Sequence, residues 1–307
     1  MNTLFTETSS MKITCHTCMH RCCLSPGQRG ICLARKNSDG RIVCDNYGMV
    51  TSLALDPIEK KPLKMFRPGS LVLSVGSFGC NLKCPFCQNH EISMVGREEA
   101  EETVGAVFLS PEVLADKALA CKPMGNIGVA FTYNEPLVGW EYVRDTAKLV
   151  KEAGMDNVLV TNGSASLEVL EEILPFIDAM NIDLKGFNES YYEKLGGDLE
   201  SVKRFIARAS EDCHVELTTL IVPGENDSVE EMEEEAGWIA SLAGGAEMPL
   251  HITRFFPQYR IKDKEATDVE LVYRLAGTAK KYLKNVFTGN KSYSYQIFLP
   301  APGRQFF

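Results

Sequence analysis

The 307-residue sequence predicts an α/β fold: a partial, TIM-like (β/α)6 barrel with a small cysteine-rich amino-terminal domain. From residue 70 onward, short apolar runs alternate with amphipathic stretches, which is the pattern of a parallel β/α fold. Six such units are present, whereas a full eight-unit barrel typically needs about 250 residues. Polar residues follow the apolar runs, where the active sites of such barrels lie. We therefore expect three parts: a cysteine-rich segment 1–69, a barrel 70–290 and a tail 291–307.

Composition and charge narrow the class of protein. The chain is 45% hydrophobic and 24% charged, which is typical of a globular protein with a sizeable core. Its net charge of -9 disfavours a large nucleic-acid-binding surface, since such surfaces are basic. Residues 1–10 do not resemble a secretory signal and no apolar run could span a bilayer, so we expect a cytoplasmic protein with no membrane partner. In that compartment the 11 cysteines indicate metal ligands rather than disulfides.

Four cysteines lie close together near the amino terminus. Cys15, Cys18, Cys22 and Cys32 have the spacing C-x2-C-x3-C-x9-C. Four thiolates can fix the fold of a segment that is too small for its own core, and either zinc or an iron–sulfur cluster would fit. The spacing does not identify the metal, and four reduced, unliganded cysteines are the alternative. We expect a metal site of some kind here.

The remainder of this segment predicts a hairpin and a connector. Residues 41–44 and 50–54 flank the turn-forming residues 45–48, which predicts a β-hairpin. Charged residues, proline and glycine at 59–62 and 67–69 predict an exposed connector with solvated lysines.

The barrel elements follow from apolar runs and helix-start signals. Ser228 with Glu231, and Thr267 with Glu270, predict capping boxes at the starts of two helices. Strands are predicted at 71–75, 126–131, 157–160, 179–184, 215–222 and 250–253, with a further short or edge strand at 286–287.

The loop after the first predicted strand contains the motif C-x3-C-x2-C, formed by Cys80, Cys84 and Cys87. Three thiolates can hold three irons of a [4Fe-4S] cluster, which leaves the fourth iron open to a substrate or cofactor. A structural zinc site is the alternative, but zinc usually takes four protein ligands and this loop offers three. The spacing therefore favours a [4Fe-4S] cluster.

Polar residues follow the other predicted strands. Asp183 interrupts an otherwise apolar strand, and a buried charge costs several kcal/mol unless it is paired. Lys185 lies two residues on, on the same strand face, and could neutralise it. The pair is either a structural ion pair at the barrel rim or a binding group. Glu135 could simply be a charge at a helix amino terminus, and His251 a satisfied core histidine.

Several of these motifs resemble a known family. The C-x3-C-x2-C loop, with aromatic Phe86 before its last cysteine, resembles the signature of the radical S-adenosylmethionine (radical SAM) superfamily. Residues 133–136, 159–163 and 181–186 resemble the barrel motifs of glycyl-radical-enzyme activating enzymes of the pyruvate formate-lyase type. The amino-terminal cysteines, with Pro-Gly-Gln-x-Gly-x-Cys, look like the AmmeMemoRadiSam subgroup. Together these cover roughly residues 15–290.

The resemblance implies a set of cofactors and site residues. It implies a [4Fe-4S] cluster on the three loop cysteines, with SAM bound to the open iron and cleaved to a 5′-deoxyadenosyl radical. Glu135 would hold the SAM ammonium group, and Phe86 would pack near the adenine. Val160 stands where some activating enzymes have an acid, so a cation site there is not expected. The residues expected to bind SAM are Phe86, Asn134, Glu135, Asn162, Asp183, Lys185 and His251.

The expected function is hydrogen abstraction by a radical SAM enzyme, from a protein glycine or from another substrate. The resemblance also implies a flavodoxin- or ferredoxin-type electron donor, and a glycyl radical enzyme as protein substrate. The alternative is a non-enzymatic iron–sulfur electron carrier or a zinc-bearing interaction protein. The final substrate, the role of the tail and the oligomeric state do not follow from the sequence.

Overall fold

An eight-stranded sheet forms the centre of the computed structural model, which describes residues 12–289. Its strand order is β14-β13-β12-β11-β10-β9-β7-β6, and its two edge strands are not paired with each other. All neighbours in this sheet are parallel except β6, which pairs antiparallel with β7. In chain order the strands are β1 (Ile13–Thr14), β2 (Cys23–Leu24), β3 (Arg35–Ser38), β4 (Arg41–Cys44), β5 (Met49–Val50), β6 (Ser52–Pro57), β7 (Leu71–Gly76), β8 (Val107–Phe108), β9 (Asn126–Phe131), β10 (Asp156–Thr161), β11 (Ala179–Asp183), β12 (His214–Ile221), β13 (Leu250–Arg254) and β14 (Val286–Gly289).

Helices connect the parallel strands, as the alternating sequence pattern predicts. The α3 helix begins at Pro111, behind a Ser110 side chain that accepts a hydrogen bond from the Val113 N–H. The helices are α1 (His90–Ser93), α2 (Arg97–Glu99), α3 (Pro111–Ala120), α4 (Trp140–Glu152), α5 (Leu167–Ile173), α6 (Glu189–Lys194), α7 (Leu199–Asp212), α8 (Val229–Ser241) and α9 (Val269–Ala279).

The predicted partial barrel is confirmed, with β14 as a seventh parallel strand at its edge. The predicted hairpin of residues 41–44 with 50–54 is wrong. Residues 41–44 instead pair with β3, and β6 pairs with the first barrel strand, β7. The division of the chain at residue 69 stays a prediction. The tail 291–307 and residues 1–10 lie outside the described residues. Within residues 12–289, the helices are too short or too polar to cross a membrane.

Neither predicted capping box forms as such. Ser228 does cap α8, but the Glu231 carboxylate accepts a hydrogen bond from the Phe187 N–H at 2.7 Å instead of turning back to Ser228. Asp268, not Thr267, caps α9. Both differences arise because tertiary partners compete with the local capping bonds.

Side chains alternate between the two faces of the sheet because successive strand residues point to opposite sides. Leu159 of β10 and Ile182 of β11 face the helices and belong to the large core. Val158 and Ala179, on the same two strands, face inward and pack in a smaller cluster inside the barrel. This inner face is the barrel lumen.

Residues 58–66, here called the strap, cross the amino-terminal end of the lumen. Ile58 and Leu63 of the strap are fully buried against the inner cluster. The Asn181 side chain donates a hydrogen bond to the Pro62 carbonyl at 2.9 Å. The prediction of solvated lysines here is wrong for Lys61, which is 3% exposed because it pairs with a buried carboxylate inside the barrel.

Candidate cluster and cofactor site

The three cysteines of the C-x3-C-x2-C motif lie in the loop after β7, residues 77–89, here called the cluster loop. Burial raises the pKa of the Cys80, Cys84 and Cys87 thiols, that of Cys84 to about 11. Negative charge on neighbouring thiolates raises the pKa of Cys80 and Cys84 further. The Leu82 N–H lies 3.4 Å from the Cys80 sulfur. Thiolates gathered in this loop need compensating positive charge, which iron would supply.

Gly79 and Asn134 fix the entry to the cluster loop. Gly79 has a φ of 86°, and a Cβ there would lie 2.5 Å from the Cys32 carbonyl oxygen, so the position requires glycine. Asn134, which follows β9, accepts a hydrogen bond from the Ser77 N–H at 3.0 Å and donates one to the Gly79 carbonyl at 2.9 Å. The Asn134 side chain is thus bonded to the backbone of the cluster loop.

Glu135 lies buried between the ends of β9 and β10. Its carboxylate accepts hydrogen bonds from the Thr161 hydroxyl at 2.7 Å, the Asn162 N–H at 2.7 Å and the Leu137 N–H at 3.0 Å. Burial raises the pKa of Glu135 to about 7, although these three donors act to lower it. Glu135 therefore joins the carboxyl ends of the neighbouring strands β9 and β10.

Asn162 supports the cluster loop from β10. Its amide group donates a hydrogen bond to the Asn81 side-chain oxygen at 2.9 Å, and the same nitrogen lies 3.8 Å from the Cys80 sulfur. Its own side-chain oxygen accepts a hydrogen bond from the Ser164 N–H at 3.0 Å. Asn162 is thereby held in a fixed orientation beside the first cysteine of the motif.

Asp183 and Lys185 form the ion pair that the sequence predicted, with 2.7 Å between the Lys185 Nζ and an Asp183 oxygen. Burial acts to lower the pKa of Lys185, but Asp183 and the nearby Cys84 and Cys87 raise it more, so the net shift is upward. The Asp183 side chain is 31% exposed, and Lys185 is its single hydrogen-bond partner within residues 12–289. The pair lies beside the cluster loop with free acceptor capacity.

The structure does not place His251 with the cluster loop. His251, near the start of β13, donates through Nε2 to Glu216 at 2.6 Å and stacks on Phe287. The Glu216 carboxylate also accepts the backbone N–H groups of Lys64 and Met65 in the strap, at 2.9 and 2.7 Å. His251 is thus part of the closure of the amino-terminal end, and its assignment to SAM stays a prediction from the sequence.

The sequence did not predict the polar cluster that Tyr133, Asp56 and Lys61 form inside the lumen. Tyr133, with a φ of 73°, donates from its hydroxyl to Asp56 at 2.7 Å. The Lys61 ammonium lies 2.9 Å from the same carboxylate and 4.6 Å from the Tyr133 ring centroid. The Asn89 side chain of the cluster loop donates to the Tyr133 carbonyl at 2.7 Å. The position of Tyr133, two residues after the end of β9, was the signal that could have identified it.

The loop after β13, residues 255–261, was also missed. Phe86 of the cluster loop packs edge-on against Phe255, with ring centroids 6.4 Å apart. The Gln258 side chain donates a hydrogen bond to the Phe86 carbonyl at 2.7 Å. Because this loop follows a parallel strand, it reaches the same end of the barrel as the cluster loop. That position in the chain was the available signal.

Several of the amino-terminal cysteines are buried near one another. Cys15, Cys18 and Cys32 are buried and close enough to influence one another electrostatically. Cys44 interacts with Cys32 in the same way. The Cys22 carbonyl accepts a hydrogen bond from the Cys15 N–H at 2.9 Å, and the Cys22 sulfur lies against Gly30, 3.5 Å from the place that a Cβ would take.

Neither cysteine set converges on a single point: within residues 12–289, no three cysteine, histidine or carboxylate side chains are arranged to hold one metal ion. For the cluster loop the donor set still fits, since a [4Fe-4S] cluster takes one thiolate per iron and spaces its ligands more widely than a single ion does. For the amino-terminal set this arrangement gives no support to a preformed zinc site, which needs four donors around one ion.

A partial α/β barrel with three thiols after its first strand defines a class of enzymes that hold an iron–sulfur cluster at the carboxyl end of the barrel. The chain belongs to the Radical SAM superfamily, whose family model matches residues 74–236. A [4Fe-4S] cluster and SAM are accordingly its cofactors. The chain is therefore a radical SAM enzyme, and this membership favours the enzyme over the electron carrier.

Similar proteins include an uncharacterized protein of Methanocaldococcus jannaschii, 38% identical over 282 residues, which are 91% of this chain and 81% of that protein. The pyruvate formate-lyase-activating enzyme of Clostridium pasteurianum is 29% identical over 68% of this chain and 88% of its own length. Streptococcus suis SuiB bound to S-adenosylmethionine aligns with a TM-score of 0.55 and 16% identity, over 76% of this chain and 54% of that chain. The SuiB similarity concerns the fold alone.

Proposed function

We propose that Cys80, Cys84 and Cys87 ligate the [4Fe-4S] cluster at which this enzyme cleaves SAM. The main support is the position of the three thiols, in one loop at the carboxyl end of β7 and next to the Asp183–Lys185 pair. The cluster supplies the electron that breaks a carbon–sulfur bond of SAM. The protein must orient SAM beside the cluster and exclude competing reactions.

We assign two kinds of role to the predicted SAM residues. Asp183 and Lys185 bind SAM directly, because the Asp183 carboxylate has free acceptor capacity and is partly exposed. Asn134 and Asn162 position the cluster loop, and Glu135 holds Asn162 in place, because their polar atoms already bond to protein groups. Phe86 remains the proposed contact for the adenine.

The proposed reaction is hydrogen abstraction from a glycine of a partner protein. Two relatives support it by name: the pyruvate formate-lyase-activating enzyme of Clostridium pasteurianum and a putative glycyl-radical enzyme activating enzyme of Methanocaldococcus jannaschii, 27% identical over 72% of this chain. Within residues 12–289, β6 and β14 do not pair with each other, which leaves the sheet open between them and is consistent with a protein substrate.

The electron donor that we propose is a flavodoxin- or ferredoxin-type protein. A reducing cytoplasm suits the free thiols that the structure shows at all eleven cysteines.

Isotope transfer tests the substrate. The reconstituted enzyme is incubated anaerobically with SAM, reductant and a candidate glycyl radical enzyme deuterated at its glycines. Deuterium in 5′-deoxyadenosine, together with a glycyl radical signal in EPR, is expected. SAM cleavage without deuterium transfer or a protein radical would indicate a different substrate while leaving the cluster assignment intact.

We propose the amino-terminal cysteines as a second metal site that assembles around the metal, with Cys44 joining Cys15, Cys18 and Cys32 as a candidate ligand. Elemental analysis of the anaerobically purified chain should find zinc, or iron beyond four per chain. Replacement of Cys18 by Ala should remove that excess and leave the other four irons. Metal content identical in parent and variant would contradict the proposal.

A further inference from the structure

Three consecutive backbone carbonyls of the cluster loop each have a hydrogen-bond partner. The Arg260 N–H donates to the Pro85 carbonyl at 2.9 Å. The Gln258 side chain donates to the Phe86 carbonyl at 2.7 Å. The His90 Nδ1 lies 3.2 Å from the carbonyl of Cys87, the third cysteine of the motif. Two of these donors come from the loop of residues 255–261, which is about 170 residues away in the sequence.

The 255–261 loop is itself held in one conformation. Gln258 and Ile261 exchange backbone hydrogen bonds of 2.7 and 3.0 Å across its tip. Between them, Tyr259 has a φ of 52°, a left-handed conformation that costs a non-glycine residue free energy and persists only where its surroundings enforce it. The Tyr259 ring stacks on His90 with centroids 4.2 Å apart and an interplanar angle of 21°. The strained residue thus contacts the histidine that is bonded to Cys87.

The base of the same loop is fixed to the barrel. The Phe255 N–H donates to the Thr267 hydroxyl at 3.1 Å, and the Thr267 N–H donates back to the Phe255 carbonyl at 3.1 Å. The Thr267 hydroxyl in turn donates to the Ile221 carbonyl at 2.6 Å, at the end of β12. A rigid support therefore extends from two barrel strands to residues 85–87.

We infer that residues 255–261 are a clamp that holds Pro85–Phe86–Cys87 in the conformation needed for the cluster and SAM, with Gln258 as its main positioning residue. This inference rests on the proposed ligation of the cluster by Cys80, Cys84 and Cys87. Gln258 acts through the Phe86 carbonyl, and it fixes both the Cys87 side of the cluster and the Phe86 side of the cofactor pocket. Without Gln258 the Phe86 carbonyl would lose its side-chain hydrogen bond, in a stretch that contains no regular secondary structure between β7 and α1.

The test replaces Gln258 by Leu, which keeps the side-chain size but removes the donor. Gln88→Leu is the matched control, because Gln88 is an exposed glutamine on the cluster loop itself. In the reconstituted full chain, Gln258→Leu should lose iron to a chelator about fivefold faster and bind SAM about fivefold more weakly, the effect expected for one lost hydrogen bond. Gln88→Leu should match the parent in both measurements.

A second readout needs no iron. Backbone hydrogen exchange in the full chain before reconstitution should be faster at Phe86 and Cys87 in Gln258→Leu, with exchange in the barrel strands unchanged. Tyr259→Leu, which removes the stack on His90, should shift the same amides in the same direction. Parent-like exchange, iron loss and SAM binding in Gln258→Leu would overturn the clamp, as would equal changes in Gln88→Leu. A parent chain that takes up no iron would instead refute the cluster proposal, and the exchange measurement would still decide about the clamp.

Discussion

The two ends of the barrel lumen each contain a charged network, and the networks differ in how completely they are satisfied. At the amino-terminal end, the Glu216 side chain is fully buried and accepts hydrogen bonds from two histidines and two strap N–H groups. At the carboxyl end, Asp183 is 31% exposed and has Lys185 as its single partner in the described part of the chain.

The number of hydrogen-bond partners that a carboxylate already has distinguishes structural residues from ligand-binding residues better than residue type does. A buried carboxylate with four donors has no capacity left for a ligand, so its role is to hold the strap against the strands. A partly exposed ion pair with free acceptor positions is poorly compensated by protein alone, and a charged cofactor can complete it. By this criterion His251 belongs to the structural network, whereas Asp183 and Lys185 belong to the binding site.

The variant with the largest expected effect tests whether an iron–sulfur cluster binds at the carboxyl end of the barrel. Cys84→Ala should abolish SAM cleavage and remove the cluster iron, because three thiolates are needed for three irons. The barrel should still fold, since the Glu216 network is untouched. Iron content and 5′-deoxyadenosine are the measurements, and Cys121→Ala, a cysteine at the end of α3, is the control. Undiminished cleavage in Cys84→Ala would refute the assignment.

The next effect tests the amino-terminal end. Glu216→Gln should lower the free energy of unfolding by about 3 kcal/mol, because it removes one partner of a buried charged network. SAM cleavage per cluster should stay near the parent value at temperatures where the variant is folded. Denaturant unfolding and single-turnover assays measure the two quantities. An intact stability with impaired cleavage would reverse the roles assigned to the two ends.

Asp183→Asn should have the opposite effect to Glu216→Gln: SAM binding should weaken while stability stays nearly unchanged. The negative charge that completes the cofactor site is lost, so SAM affinity should fall by about 1.5–3 kcal/mol, the range for a hydrogen bond to a charged group. The melting temperature without SAM should change little, because the pair is partly exposed. Anaerobic titration with the cluster intact measures the affinity. Unchanged SAM binding with a lowered melting temperature would show that the pair is structural.

The smallest effect is the acid dependence of stability. Burial acts to raise the pKa of Glu216, but hydrogen bonds from His214, His251 and the strap N–H groups lower it to about 2. An unfolded glutamate titrates near pH ~4.3, so this group stabilises the fold fully above that pH and progressively less as the pH falls towards 2. Unfolding of parent and Glu216→Gln is compared between pH 6 and 3. The stability difference should shrink as the pH falls, and a constant difference would contradict the pKa shift.

The parts of the fold that could be predicted from sequence are those with local periodicity. The predicted strand 126–131 coincides with β9, and 157–160 lies inside β10, because buried parallel strands are nearly continuous apolar runs. The Asp183–Lys185 pair was predicted on the basis that residues i and i+2 of a strand share a face; the pair forms, although β11 ends at Asp183 and Lys185 lies in the loop that follows. Placement of the cluster loop followed from the convergence of parallel strands at one end of the barrel.

The predictions that failed, and the contacts that were missed, involve residues far apart in the sequence. The hairpin was mispredicted because β6 finds its partner in β7, and no local signal distinguishes that pairing from a turn at residues 45–48. Lys61 lies in a charged stretch that is typical of a solvated connector, and only the folded chain brings it to Asp56. Gln258 is a polar loop residue without periodicity, so its contact with Phe86 becomes visible only in three dimensions.

The contact of Gly79 with Cys32 has an evolutionary consequence. The cluster loop and the amino-terminal segment touch there through backbone atoms, and His20 adds a bond to the Asn81 carbonyl at 2.8 Å. Most substitutions at such a contact would require both sides to change together. The amino-terminal segment is therefore a poor candidate for exchange by recombination: a homologous barrel could accept it only if its own cluster loop kept glycine at this position. The amino-terminal segment and the cluster loop should therefore be inherited together, although they lie in different stretches of the chain.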